Sequence, residues 1–180
     1  ALNRLESEGF LLFVMNKGFF RKPISVDEVV DLYQVRVALE RRAVFLATTR
    51  ASDEEIASVG KYWGSIMQCA PQMNVEEMLS ADEEFHRQLV ALSHNRELSM
   101  FLEQVTRRIH IARQIDVEQS DWNNRAFDAH TRLVELIARR DKEAALILLT
   151  EHIEMSLKRA LEITKEMTAR FFLQDIPAFE

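Results

Sequence analysis

Apolar residues recur at intervals of three and four along most of this chain, and short polar clusters separate the repeats. Ser25-x-x-Glu28 has the form of a capping box and predicts a helix from about Val26 to Arg50. Ser52-x-x-Glu55 opens another, with Ile56, Val59, Trp63, Ile66 and Ala70 on one face and Pro71 ending it. Asn74-x-x-Glu77 opens a third, running to about Leu92, where Ser93-His94-Asn95 reads as a short turn. Leu98, Phe101, Val105, Ile109 and Ala112 stripe a fourth, and the polar run from Asp116 to Asp121 reads as a loop. A fifth spans about Trp122 to Arg139. Asp141 can cap a sixth that continues to about Phe171.

The pattern differs before Pro23. FLLFVM and FFRK flank Asn16-Lys17-Gly18, which predicts a β-hairpin with a basic tip. LNRLESEG ahead of it reads as the tail of a helix closed by Gly9. All four glycines lie before residue 65, and neither Gly nor Pro occurs from Gln72 to Ile176, so that stretch has to be long helices joined by short polar turns. The expected architecture is all-α: an antiparallel bundle of about six helices over residues 25–180, preceded in residues 1–24 by a short helix and a hairpin.

Composition adds limits to this picture. With 180 residues, 47% apolar and 29% charged, the chain can bury a real core and is not a disordered segment. No run of 18 apolar residues is present, so no membrane span is expected, and ALNRLESEGF lacks the features of a secretory signal. The single Cys69 excludes an internal disulfide and suits a reducing cytoplasm. The net charge of −6 argues against a nucleic-acid binder that is basic throughout, although residues 1–25 carry four basic groups against two acidic ones.

The polar residues that interrupt apolar stripes carry the chemistry. Met78, Asp82, Phe85, His86 and Leu89 share one helix face, with Asp82 and His86 one turn apart. Ala126, His130, Leu133 and Ile137 share another, and Leu148, His152 and Met155 a third. His130 lies 11 residues before Asp141 and His152 lies 11 after it, so in an antiparallel hairpin the two imidazoles reach the same level. Three imidazoles and a carboxylate in a core need either many compensating hydrogen bonds or one shared divalent transition metal. Asp82, His86, His130 and His152 are therefore the candidate metal ligands, and a polar core network is the alternative.

Arg36 stands among apolar neighbours in LYQVRVALERRAV. It either pairs with Glu40 one turn later or points a guanidinium into the bundle to hold a carboxylate. His94, in a turn, is expected outside, and His110 can face either way. Trp63 reads as core, and Gly60 and Gly64 as sites of close helix packing. No general base lies on a stripe beside the candidate ligands, and the paired Glu-x-x-His motifs of di-iron bundles are absent, so no catalytic residue is assigned.

LNRLESEGF…NKGFF resembles the end of a winged helix-turn-helix domain of GntR-family transcription regulators. SVDEVVDLYQVRVALERRAV resembles the first helix of the effector domain of their FadR subfamily, the FCD domain. Asp82-x-x-x-His86, His130 and His152 match that domain's ligand pattern in order and approximate spacing. The resemblance implies a bacterial, ligand-responsive, DNA-binding regulator, homodimeric and cytoplasmic, and not an enzyme. It implies one divalent ion per chain, zinc foremost, with nickel, manganese or iron as alternatives. A small organic acid would be the effector, and Arg36 matches an arginine that faces its pocket. Residues 1–24 would be the recognition-helix end and wing, with Lys17, Arg21 and Lys22 near DNA phosphates in the complete protein. The family's DNA-binding domain begins some fifty to sixty residues earlier, so this chain alone is expected to bind operator DNA poorly or not at all. A helical-bundle metalloenzyme acting on a small carboxylate is the alternative function.

Overall fold

The computed structural model describes residues 2–7, 11–15, 17–21, 25–118 and 122–174. A short helix α1 (Leu2–Ser7) precedes strands β1 (Leu11–Val14) and β2 (Gly18–Arg21). The strands pair antiparallel, with Leu12 opposite Phe20 and Val14 opposite Gly18. Gly18 has φ 93°, a left-handed value that glycine adopts without steric penalty, and it starts β2 instead of ending the connection as expected. Six helices follow: α2 (Val26–Arg50), α3 (Asp53–Cys69), α4 (Val75–Ala91), α5 (Arg96–Val117), α6 (Trp122–Ala138) and α7 (Lys142–Gln174). This is the expected all-α bundle. Among the described residues no helix is long and apolar enough to cross a membrane.

The caps form where the polar clusters stand. Ser25 accepts from the Glu28 N–H, while Ser52/Glu55 and Asn74/Glu77 close reciprocal capping boxes at α3 and α4. Pro71 sits in a 3₁₀ turn (Ala70–Gln72) that ends α3. The α6–α7 turn matters most for the site. The Asp141 N–H donates to Leu136 O and the Arg140 N–H to Ile137 O, both at 2.9 Å, which is a Schellman closure. Its left-handed residue is Arg140 (φ 59°), where glycine is usual. Side-chain anchoring offsets that strain: Arg140 Nη1 donates to Ala51 O at 2.8 Å and Nη2 to Asp53 Oδ1 at 2.5 Å. Asp141 caps α7 through the Ala144 N–H.

Helix α2 is the spine of the bundle, packed chiefly on α7 and α5, while α4 packs on α5 and α3 on α6. Its buried positions Val29, Tyr33, Arg36, Glu40, Val44 and Ala47 keep the helical period, so an arginine and a glutamate occupy core positions. Trp63, Phe85, Leu89, Ile109, Leu133, Ile137, Leu149 and Ile153 fill the centre. Gly60 serves close packing as expected, since a Cβ there would lie 3.3 Å from Val134 Cγ1 on α6. At Gly64 a Cβ would meet nothing within 4 Å, so packing does not explain that glycine.

Two details depart from the sequence reading. Asp116 is in the last turn of α5 and buried, not in a loop. On α7 the buried stripe is Ala145, Leu149 and Ile153. Leu148 is only partly buried and Met155 is exposed, because α7 presents the 145/149/153 row to α2 and α6.

Candidate metal centre

Three helices bring the candidate ligands together. His130 comes from α6, His152 from α7, and Asp82 and His86 from successive turns of α4. One ring nitrogen each of His86, His130 and His152 lies within 4.8 Å of the other two. His130 Nε2 and His152 Nε2 are 3.0 Å apart, as the equal spacing from the α6–α7 turn requires. Asp82 Oδ1 lies 3.6 Å from His130 Nε2 and 4.0 Å from His86 Nε2. Asp82, His86 and His130 are buried, and His152 is partly buried.

The surrounding side chains set each ligand's orientation. Phe85 stacks on His130 with ring centres 4.0 Å apart, and the Trp63 ring approaches it edge-on at 4.5 Å. His86 Nδ1 donates to Glu40 Oε2 at 2.7 Å, and Glu40 Oε1 accepts from Arg36 Nε at 2.6 Å. Asp82 Oδ2 is held by Arg113 Nη2 from α5, and Arg113 Nη1 lies 3.4 Å from Glu83 Oε1.

Burial and these partners decide the charges. Burial pushes the His152 imidazole down to about 3. Burial also takes His130 well below its ordinary value, as do the neighbouring histidines. Both rings are therefore neutral near pH 7, the state in which imidazole binds metal. Burial works to raise Asp82, but Arg113, His86 and Arg36 outweigh it and hold the carboxyl below its usual range. Glu40 is likewise held low: burial opposes ionisation, and His86 and Arg36 overcome it by charge and hydrogen bonding.

This donor set fits a divalent transition ion. His86 Nε2 is fully buried and has no hydrogen-bond partner. A buried ring nitrogen without a partner costs about 1–3 kcal/mol, which a shared cation relieves. Two neutral Nε2 atoms at 3.0 Å either share a proton or turn their lone pairs onto a common cation. Three imidazoles and one carboxylate suit zinc, nickel, iron or manganese.

A small cavity opens beside the ligands, with about 10 Å³ for the centre of a water molecule, room for a single one. Arg36, Arg113, Asp116 and Ser156 line it together with Asp82, His86 and His152. Arg36 pairs with Glu40, as one of the two sequence readings expects, and its side chain also lines the cavity. Of the other histidines, His94 and His110 are exposed and pair with Glu55 and Glu83. Lys17 is exposed at the hairpin tip. Arg21 lies in β2 with its side chain outside the described residues, and Lys22 lies outside them altogether.

Sequence reasoning missed Glu40 as a partner of His86, and Arg113 and Asp116 as cavity residues. The period of α5 contained the signal for the last two. Leu102, Val105, Ile109, Ala112, Arg113 and Asp116 form one helical stripe, which the polarity of its last members disguised.

The bundle gathers its buried polar side chains where α2, α4, α5, α6 and α7 meet. The FCD domain model matches residues 31–155. The Nta operon transcriptional regulator of Aminobacter aminovorans is 35% identical over 177 residues, which are 97% of this chain and 81% of that protein. The solved structure of E. coli McbR/YncC superposes with a TM-score of 0.80 at 18% identity, covering 89% of this chain and 81% of that one. A GntR-family transcriptional regulator from Pseudomonas syringae pv. tomato superposes with a TM-score of 0.65 at 20% identity, covering 92% and 69%. The chain belongs to the FCD-domain family of transcriptional regulators.

Proposed function

We propose that this chain is the sensing part of a regulator of the FadR subfamily, in which Asp82, His86, His130 and His152 hold one divalent ion, zinc foremost. The observation that carries the reading is the buried convergence of three imidazole nitrogens within 4.8 Å of one another, one of them unpartnered. A bound ion supplies a Lewis-acid anchor for one oxygen of a small carboxylate. Arg36, buried and facing the same cavity, supplies a cation for the effector.

The cavity takes one water, so an organic acid enters only when the surrounding side chains part. That requirement ties occupancy to the packing of α4, α5 and α7. A ligand then shifts the regulator toward whichever arrangement it binds more tightly. Residues 1–24 serve as the end of a winged helix-turn-helix, and residues 25–180 as the effector and dimerisation domain. Lys17, Arg21 and Lys22 lie near operator phosphates in the complete cytoplasmic homodimer.

Elemental analysis after extensive dialysis tests the centre. About one divalent ion per chain is expected, and its loss in His130→Ala. Thermal unfolding with a panel of small organic acids tests the sensor, since a true effector raises the midpoint only when the ion is present. If no ion is retained and His130→Ala is as stable as the parent, the reading is wrong.

A further inference from the structure

Glu40 is fully buried and makes two short hydrogen bonds, each to a different functional side chain. It accepts from Arg36 Nε at 2.6 Å and from His86 Nδ1 at 2.7 Å. An ionised carboxylate only accepts, so the bond to His86 requires the proton to sit on Nδ1. In the neutral ring, the form that binds a metal, the other nitrogen, Nε2, is then the one with the free lone pair. It is the buried nitrogen with no partner, 4.0 Å from Asp82 Oδ1 and stationed among the other ligands. No other candidate ligand histidine has a carboxylate hydrogen-bonded to its far nitrogen among the described residues. The Nδ1 of His130 has no partner and its ring is held by stacking on Phe85.

We propose that Glu40 is the positioning residue of the metal centre: it fixes the tautomer and ring angle of His86 so that Nε2 faces the ion, and it links Arg36 to that ligand. The proposal rests on the metal reading above. Its physical basis is that a carboxylate behind a ligating imidazole raises the basicity of the ring and removes its rotational freedom before the ion arrives. Arg36 in turn neutralises the carboxylate and limits its rotation. A single chain of hydrogen bonds thus runs along α2 and across to α4. An anion drawn to Arg36 acts on a guanidinium already tied, through Glu40, to a ligand of the ion.

The test uses the full chain and Zn²⁺ as the probe. Competition with a chromophoric chelator gives the zinc affinity of the parent, Glu40→Gln and Glu40→Ala. Long-range ¹H–¹⁵N spectra of the metal-free proteins report the His86 tautomer, with His86→Gln assigning the signal. The parent should show His86 protonated on Nδ1. Glu40→Gln keeps an acceptor but loses the charge, and should retain that tautomer while binding zinc about 10-fold more weakly. Glu40→Ala should lose the tautomer preference and bind about 100-fold more weakly. Glu40→Gln, nearly isosteric, carries the test if the alanine variant does not fold. Zinc binding by the parent, with Glu40→Gln within about twofold of it, overturns this proposal alone. Absence of zinc binding by the parent overturns the metal reading and this proposal with it.

Discussion

A guanidinium that is 4% exposed needs a counter-charge, and Arg113 finds it in Asp82. Removing one partner of a buried pair leaves the other charge uncompensated, at about 3–5 kcal/mol. Asp82 also faces the histidine cluster, so a bound cation gives it a second counter-charge. Arg113→Met should therefore destabilise the metal-free chain by about 3 kcal/mol and the zinc-saturated chain by distinctly less. Urea unfolding with chelator and with zinc measures both values, and equal losses would contradict the shared role of Asp82. The same residue shows where sequence reading stopped. Asp82 and His86 are legible because they interrupt an apolar stripe one turn apart. Arg113 sits at the polar end of its stripe, and nothing local separates a buried arginine there from a solvated one. Its partner is 31 residues away in sequence, so the pairing follows only from how α4 packs on α5.

Helix ends were the most legible elements, because a capping box is local chemistry: Ser52/Glu55 and Asn74/Glu77 mark their starts without help from the rest of the fold. Which side of a helix is buried is less local. Helix α7 carries enough apolar residues for more than one stripe, and contact with α2 and α6 selects Ala145, Leu149 and Ile153 over Leu148 and Met155. The two glycines of α3 separate intrinsic preference from packing in one experiment. Within a helix, Gly is about 0.5–1 kcal/mol less favourable than Ala. Gly64→Ala adds a methyl that meets nothing within 4 Å, so it should stabilise the chain by about that amount. Gly60→Ala sets its methyl 3.3 Å from Val134 Cγ1, so displacement of that side chain should cancel the gain. Denaturant midpoints of the two variants should differ in this order. A larger gain at Gly60 would mean that α3 and α6 are not packed as described.

At the scale of the whole molecule, the α6–α7 turn fixes the register that brings His130 and His152 level, and counting residues from Asp141 made that meeting legible. The relation of Glu40 to His86 was not legible, because it joins α2 to α4 across 46 residues. The assembled centre gives the metal-free protein a definite response to acid. In the unfolded chain both histidines titrate near 6.5. In the folded chain burial lowers His130 strongly and His152 to about 3. Between those limits the unfolded state binds more protons than the native one, so stability rises with pH and is lost as pH falls below about 6.5. Asp82 and Glu40 are also lowered, by their cationic partners, and act in a more acidic range. Their folded values lie below ordinary carboxylate values of about 4, so their contribution is complete above that range and fades only beneath it. Asp116 acts oppositely, because burial raises its carboxyl above the ordinary value; across about pH 4.5 to 6.5 the two lowered histidines outweigh that one raised carboxyl. Urea midpoints in chelator should climb across that interval, and the climb should be shallower in His152→Gln, which has no imidazole at that position to protonate on unfolding. Zinc should raise the midpoint most at the upper end, where the imidazoles are free of protons that compete with the ion. A flat profile in chelator, the same in the parent and in His152→Gln, would show that His130 and His152 are not buried as described.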